Sequence, residues 1–161
     1  MLDKRAWAHL ERELEQIMMF SGVLHSQMEE NHPVETLFSR LNNTMHTTLD
    51  RRTFVCFCLG ELDLTTHALH LANGGCPYPY HFHAATGTVT ELVVDAYPLG
   101  VRTNSDYQTV EIQLEPGDRI VLCSDGIIEA ANAQEEIFGF EQTAEIIRQS
   151  ATADLSATAL I

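Results

Sequence analysis

Basic residues and long apolar runs are scarce in this sequence, and each shortage argues against some classes of function. Only 9 lysines and arginines stand against 23 aspartates and glutamates, which gives a net charge of −14. A field of that sign repels nucleic-acid phosphates and anionic lipids, so DNA, RNA and membrane surfaces are poor candidate partners. No apolar run approaches the roughly 20 residues that span a bilayer. The charge suits a divalent cation or a basic protein surface, although a solvated acidic face is the simpler interpretation.

Cysteine is also sparse, and the four cysteines include no Cys-x-x-Cys pair. Three of them lie in apolar, strand-like runs, which favours buried free thiols in a reducing cytoplasm over disulfides. The N-terminal stretch is charged and has helical spacing, so we expect no secretory signal there. Together these features predict a cytoplasmic protein. The cysteines are Cys56, Cys58, Cys76 and Cys123.

The chain has the length and composition of a single domain. Its 161 residues are 45% hydrophobic, which is enough to bury a sizeable core, so we expect one domain over residues 1–161. Apolar residues at helical spacing predict one helix over residues 2–30 and a second from Val34 to about Leu49. On the first helix, residues 18–20 (Met-Met-Phe) are expected to lie in the core.

The middle of the sequence has the pattern of β-strands. From Thr53 onward, β-branched and aromatic residues predict a hairpin whose turn is formed by Asp63 to Thr66. Two short strands around the turn "ATGT", a half-exposed strand "YQTVEIQL" and a last strand "RIVLCS" follow, before a helix over residues 140–150. Strands that cluster between terminal helices predict an α+β fold rather than alternating βαβ units.

The last predicted strand ends abruptly on Ser124, Asp125 and Gly126. A glycine has no Cβ, so it permits a sharp exit from the strand and a close approach of a ligand to the backbone. A carboxylate at a strand end, on the rim of a sheet, is well placed to bind a hard cation. If the strand stays regular, Cys123 and Asp125 share one of its faces. Taken alone, an ordinary Asp-Gly turn is the simpler interpretation.

The wider pattern around Asp125 resembles a known family. The stretch "LEPGDRIVLCSDGIIEAANAQEEIFGFE" resembles the C-terminal half of bacterial PPM-type serine/threonine phosphatases of the SpoIIE/RsbU group, with a Pro-Gly-Asp turn, a hydrophobic strand, Ser-Asp-Gly, Glu-Ala, Asn and Phe-Gly in order. Upstream, "YPLGV" matches the family's Pro-Leu-Gly loop, and "LANGGCPYPYHF" resembles its Asn-Ala-Gly-His-Pro-Pro segment, with departures at Gly74 and Cys76. The resemblance covers residues 15–150.

The resemblance implies a fold and an activity. The fold is a PPM-like α-β-β-α sandwich, in which two antiparallel sheets are flanked by helices. The activity is hydrolysis of phosphoserine or phosphothreonine by a water activated between two Mn²⁺ or Mg²⁺ ions. The implied substrate is a phosphorylated regulatory protein, such as an anti-sigma-factor antagonist in a bacterial stress or developmental switch. The Asp of Ser/Thr-Asp-Gly is a metal ligand in this family, so Asp125 is the implied ligand, with Ser124 and Gly126 as its near-site neighbours.

Departures from the family leave the activity open. The family's Gly-Asp-Tyr/Phe-Tyr-Asp strand and Asp-Val-Ser/Ala-Gly-His-Gly motif are absent, and its last Asp-Asp-hydrophobic-Thr strand has only Asp154, in a different context. One carboxylate cannot hold two divalent ions. Two interpretations follow: a phosphatase domain that is incomplete at both ends, or a catalytically inactive, phosphatase-derived regulatory module that binds proteins. Whether the chain is itself an enzyme therefore stays open.

The incomplete pattern also bears on assembly. Missing strands would leave sheet edges exposed, and such edges invite pairing with a second copy, so a homodimer is a reasonable expectation. Family members often follow a sensor domain, so residues 1–14 fit a linker helix as well as they fit a packed amphipathic helix.

Histidines on one predicted strand suggest a third interpretation. His81 and His83 alternate on one strand face, as the two ligands of a His-x-His metal site do. No third ligand appears at the expected spacing, so partly exposed strand histidines are the simpler interpretation. The alternative is an α+β protein unrelated to phosphatases that carries a histidine-rich metal site.

Overall fold

The structure is a computed structural model that describes residues 4–50 and 52–156. The described residues form two long helices, then six strands, a four-residue helix and a final helix, in the order predicted apart from the short helix. The elements are α1 (Lys4–Met28), α2 (Val34–Thr48), β1 (Phe57–Leu62), β2 (Ala68–Gly74), β3 (Tyr80–His83), β4 (Thr88–Glu91), β5 (Val110–Gln113), β6 (Arg119–Val121), α3 (Asp125–Ile128) and α4 (Gly139–Thr152).

The strands form two antiparallel sheets of three strands each. The first has the order β1-β2-β5 and the second has the order β4-β3-β6. Pairing of Phe57 with Gly74 sets the register of the predicted hairpin, and pairing of Tyr80 with Val121 sets that of β3 and β6. Helix α2 covers the outer face of the first sheet, and α4 covers the outer face of the second. This arrangement confirms the predicted α-β-β-α sandwich.

Three apolar clusters hold the four layers together. Because side chains alternate across a strand, β2 contributes Ala72 to the cluster under α2 and Leu71 to the cluster between the sheets. The third cluster joins the second sheet to α4. The buried members of the cluster under α2 are Val34, Leu37, Phe38, Leu41, Met45, Ala72, Leu99 and Tyr107. Those of the cluster between the sheets are Leu69, Leu71, Val94 and Ile112. Those of the cluster under α4 are Tyr80, Phe82 and Ile147.

Helix α1 buries only some of the residues that were predicted to lie in the core. Met19 and Phe20 pack against the cluster under α2, whereas the side chain of Met18 is 73% exposed, so its prediction as a core residue is wrong. Successive residues on a helix are rotated by about 100°, which turns Met18 away from the side that carries Met19. Leu14 is also exposed, which disfavours a packed helix at that position. The linker interpretation of residues 1–14 stays a prediction, and residues 1–3 lie outside the described part.

The last strand is shorter than predicted. β6 ends at Val121, and Asp125 begins α3, so the prediction that Cys123 and Asp125 share a strand face is wrong. Continuing the register beyond the pair Tyr80–Val121 would place Leu122 opposite Pro79. A proline has no N–H to donate to the ladder, which explains why pairing stops there.

A buried amide fastens α2 to the Pro-Leu-Gly loop. Asn42 is fully buried; its Nδ2 donates to the carbonyl of Arg102 at 2.8 Å, and its Oδ1 accepts from the backbone N–H of Gly100 at 2.9 Å. The hydroxyl of Tyr107 donates to the same Oδ1 at 3.1 Å. One buried side chain therefore provides a hydrogen-bond partner for three polar groups.

A glycine lets the same loop lie against the end of β2. Gly75 has a φ of +85°, and a Cβ at this position would lie 2.5 Å from Cγ of Pro98. The preceding Asn73 shapes the turn, because its Oδ1 accepts from the backbone N–H of Cys76 and its Nδ2 donates to the carbonyl of Cys76, both at 2.9 Å. The loop contact thus requires a residue without a side chain.

The Asn42 network predicts a large loss of stability on truncation. Replacing Asn42 with alanine removes the partner of the Gly100 N–H and of the Arg102 carbonyl, and it leaves the Tyr107 hydroxyl with the carbonyl of Tyr97 alone, so we expect the free energy of unfolding to fall by about 2–4 kcal/mol. Urea denaturation followed by circular dichroism measures this change. Asn43→Ala is the matched control, because Asn43 is exposed on the same helix and its substitution should change stability by less than about 1 kcal/mol. Equal losses in the two variants would contradict the assigned role of Asn42.

A pair of glycine substitutions isolates the contact with Pro98. Gly75 and Gly87 both have positive φ, but a Cβ at Gly87 would meet nothing within 4 Å. Either change to alanine should cost about 1–2 kcal/mol for the left-handed backbone. Gly75→Ala should lower the free energy of unfolding by at least about 1 kcal/mol more than Gly87→Ala, because only its Cβ collides with Pro98. Chemical denaturation of the two variants measures the difference, and its absence would argue against a tight loop contact.

Candidate functional site

One end of the sandwich gathers the chain segments that carry the family-like motifs. The strand registers place the start of β1, the end of β2, the start of β3 and the end of β6 at this end. Only residues 75–79 separate β2 from β3, so the two sheets meet here. Cys56, Cys76 and Asp125 lie in the segments that enter or leave these strands.

The carboxylate of Asp125 lies at the surface of this end. Asp125 is the first residue of α3 and its carbonyl accepts the backbone N–H of Glu129 at 2.7 Å, which closes the helical turn. Ser124, Asp125 and Gly126 are all exposed. Gly126 does not have a positive φ, and a Cβ there would meet only the hydroxyl of Ser124, at 3.7 Å. Its role in this structure is therefore to leave space beside Asp125 and not to supply an unusual backbone angle.

Asp125 acts electrostatically on nearby thiols. Partial burial raises the pKa of the Cys56 thiol, and the negative charge of Asp125 raises it further. Burial raises the pKa of Cys76 to about 11, with smaller contributions from Cys56, Cys58 and Asp125. Burial alone raises the pKa of Cys58 to about 11. These thiols are therefore protonated at neutral pH, which makes them poor nucleophiles.

All four cysteines are free, as predicted, but they are not all buried. Cys56 is exposed, while Cys58, Cys76 and Cys123 are half-buried. Cys56 precedes the first ladder residue of β1, so it lies at the open end of the sandwich instead of inside a strand. The prediction of buried thiols is wrong for this residue.

A third potential ligand, Asp118, lies beside the predicted histidine pair, and the sequence spacing did not reveal it. His81 and His83 share a face of β3, and the Nε2 of His81 lies 2.9 Å from Oδ2 of Asp118. Asp118 is the aspartate of the Pro-Gly-Asp turn that precedes β6. It lies at the end of the sandwich opposite Asp125, because the two residues flank the same strand. Pairing of β3 with β6 brings Asp118 next to the histidines, and sequence periodicity does not specify that pairing.

Asp154 also lies far from Asp125 along the second sheet. Its carboxylate forms an ion pair with Arg119, the first residue of β6, whereas Asp125 follows the end of that strand. The structure therefore does not bring Asp154 to the exposed carboxylate, in agreement with its different sequence context.

A site for two divalent ions does not fit the residues that the structure describes. Each ion needs several oxygen ligands. In the described part of the chain, the one place where three potential ligand side chains lie within 4.8 Å of one another is His81, His83 and Asp118, which excludes Asp125. The described residues thus supply Asp125 as a single candidate ligand and do not complete the binuclear centre implied by the family.

Comparison with known sequences identifies relatives of this chain. The family model for stage II sporulation protein E (SpoIIE) matches residues 16–161. Phosphoserine phosphatase RsbU of Bacillus subtilis (strain 168) is 28% identical over 98 residues, which cover 61% of this chain and 29% of that protein. The chain therefore spans less than a third of the length of this curated relative.

Solved structures share the fold. The RsbU and RsbW domains of a Mycobacterium tuberculosis protein match with a TM-score of 0.67 and 20% identity, over 83% of this chain and 36% of that one. The PP2C phosphatase domain of SpoIIE from Bacillus subtilis, solved with a fragment of its regulatory domain, matches with a TM-score of 0.65 and 16% identity, over 83% and 38%. With the family model covering most of its length, this chain belongs to the SpoIIE family, within the SpoIIE/RsbU group of PPM-type phosphatases.

Proposed function

We propose that this chain is part of a metal-dependent protein serine/threonine phosphatase of the SpoIIE/RsbU type. Its substrate would be a phosphorylated regulatory partner, such as an anti-sigma-factor antagonist. The observation that carries the proposal is the exposed carboxylate of Asp125, held by a Ser-Asp-Gly motif at the end of a PPM-like sandwich. The sandwich and the family membership support the reaction class, and Asp125 is the residue through which this chain would contribute to it.

Mn²⁺ or Mg²⁺ is the cation that this end of the sandwich suits. Carboxylate oxygen is the ligand that these hard ions prefer. Burial raises the pKa values of the neighbouring Cys58 and Cys76 thiols, which disfavours the thiolate form that softer metals bind. The further oxygen ligands that two ions require would come from residues outside those described.

The charge of the chain favours a protein substrate with a basic surface. The net charge of −14 disfavours nucleic acid and anionic membranes. None of the helices in the described part of the chain combines the length and the hydropathy of a membrane span. The four free cysteines suit the reducing cytoplasm, which is where a sigma-factor switch would operate.

Substitution of Asp125 tests the phosphatase proposal. We expect the phosphatase that contains this chain to hydrolyse p-nitrophenyl phosphate, and a phosphorylated anti-sigma-factor antagonist, only when Mn²⁺ or Mg²⁺ is added. Asp125→Asn should lower the rate at least about 100-fold, because even outer-shell partners of a metal are worth 10- to 100-fold. Asp106→Asn is the matched control, since Asp106 is an exposed loop aspartate that should leave the rate unchanged. Equal rates for the Asp125 and Asp106 variants would sink the proposal.

A catalytically inactive regulatory module is the second candidate, and a specific observation favours it. Within residues 4–50 and 52–156, no group of three potential ligands includes Asp125. In that case the chain would bind the regulatory partner without turnover at millimolar Mn²⁺, and Asp125→Asn would leave the dissociation constant unchanged. Calorimetric titration with the phosphorylated and unphosphorylated partner, alongside the rate assay, separates the two functions.

Self-association is proposed from the unpaired sheet edges. β1 pairs only with β2 in the described sheets, and its last residue, Leu62, is 44% exposed. An open apolar edge can pair with the same edge of a second copy. We expect light scattering after size exclusion to give twice the 18.0 kDa mass of the chain. Leu62→Lys should shift the protein toward monomer because a lysine blunts an edge, whereas Leu64→Lys, in the adjacent turn, should not. A wild-type monomer at all concentrations would rule out the dimer.

A further inference from the structure

Two histidines and an aspartate converge at the end of the second sheet that lies away from Asp125. His81 and His83 project from the same face of β3, with their ring centroids 3.8 Å apart. Asp118 precedes β6, the neighbouring strand, and its Oδ2 lies 2.9 Å from Nε2 of His81. One ligand atom from each of the three side chains lies within 4.8 Å of the other two.

Burial and hydrogen bonding hold this cluster in place. The side chains of His81 and Asp118 are only 4% and 5% exposed. Oδ1 of Asp118 accepts the backbone N–H of Ala84 at 2.8 Å, and its Oδ2 accepts that of Glu115 at 3.1 Å. A carboxylate offers about four lone-pair positions, so these contacts leave capacity for a cation.

The charge state of Asp118 suits a cation ligand. Burial raises the pKa of the carboxyl, but the N–H of Ala84, the His81 ring and the N–H of Glu115 together outweigh burial and leave the pKa below its usual value. Asp118 is therefore ionised at neutral pH, with its negative charge held almost out of contact with water.

His83 provides the open side of the cluster. It is half-buried, and its Nε2 lies 2.9 Å from the hydroxyl of Thr90 on β4. His81 and Asp118 hydrogen-bond to each other directly, so neither of these buried side chains needs His83 as a hydrogen-bond partner. A cation that enters from this side displaces the contact with Thr90 and replaces the hydrogen bond between His81 and Asp118, and the proton on Nε2 of His81 is released to solvent.

We propose that His81, His83 and Asp118 bind one divalent first-row transition-metal ion. Two imidazoles and one carboxylate form a ligand set that such ions favour, and they select against Mg²⁺ and Ca²⁺, which prefer all-oxygen sites. Two ligand atoms at about 2.0–2.1 Å from a tetrahedral ion lie about 3.3 Å apart, so the Nε2 of His81 and the Oδ2 of Asp118, which are 2.9 Å apart, need to separate by only about 0.4 Å. The three side chains leave a fourth position for water.

The ion would join two turns that are distant in the sequence. His83 ends β3 at the turn into β4, and Asp118 follows the turn that connects β5 to β6. An ion bound to both turns, and absent from the unfolded chain, stabilises the second sheet. This site differs from the one proposed at Asp125 in its ligands, its position and its preferred metal.

Zinc titration of the full chain tests the proposal. After removal of metals with a chelator, we expect isothermal calorimetry with ZnCl₂ to show one ion per chain and zinc to raise the thermal midpoint. His83→Gln should weaken zinc binding at least about 10-fold and abolish the rise in the midpoint, while retaining the bond between His81 and Asp118 that keeps the sheet folded. His25→Gln is the matched control, because His25 is an exposed histidine on α1 and should leave the affinity unchanged.

A second pair of variants separates this site from the other candidate ligands. Asp125→Asn and Cys76→Ser should both retain zinc affinity, and Co²⁺ substituted for zinc should show no thiolate charge-transfer band. The proposal is overturned if His83→Gln binds zinc as tightly as wild type, if Cys76→Ser or His25→Gln loses the binding, or if the wild-type chain binds no zinc. Because zinc binding is read independently of hydrolysis, failure of the phosphatase assay leaves this test intact.

Discussion

Burial of both faces of β2 is the constraint on which the rest of the structure depends. As the central strand of the first sheet, it directs Ala72 toward α2 and Leu71 toward the second sheet. A slip of one residue would exchange these faces, so the two apolar clusters fix its register against both neighbours. The register in turn fixes where β2 ends, and with it the position of the turn at Gly75 that passes the chain to the second sheet.

The end of the sandwich that carries Asp125 is built by loops, and its stability comes from two close contacts. Asn42 holds the backbone of Gly100 from the side of α2, and Gly75 accepts Pro98 from the side of β2. The Pro-Leu-Gly loop is therefore fixed from both directions without being part of a sheet. A rigid loop layer of this kind allows the neighbouring segment to present the exposed carboxylate of Asp125, while Ile128 of the same segment is buried.

Local patterns in the sequence predicted local structure well, and long-range pairing accounts for the errors. The hairpin of β1 and β2 follows from a β-branched run and the turn at Asp63, which are adjacent in sequence. The early end of β6 depends on Pro79, the residue just before the neighbouring strand β3, which sequence periodicity cannot place opposite Leu122. The approach of Asp118 to His81 likewise spans 37 positions and exists only because β3 pairs with β6. Met18 was misplaced for a different reason, since an apolar residue next to a core residue on a helix need not face the core.

The two ends of β6 carry carboxylates with opposite properties, and this contrast explains their different candidate roles. Asp118 is buried and held by three hydrogen-bond donors, so its position is set before any cation arrives. Asp125 is exposed on a single helical turn, so its position depends on whatever ligands join it. Between them, Arg119–Val121 pair with β3, and residues 122–124 belong to no strand. The ladder with β3 therefore fixes the backbone beside Asp118 directly, whereas three residues that belong to no strand separate Asp125 from that ladder.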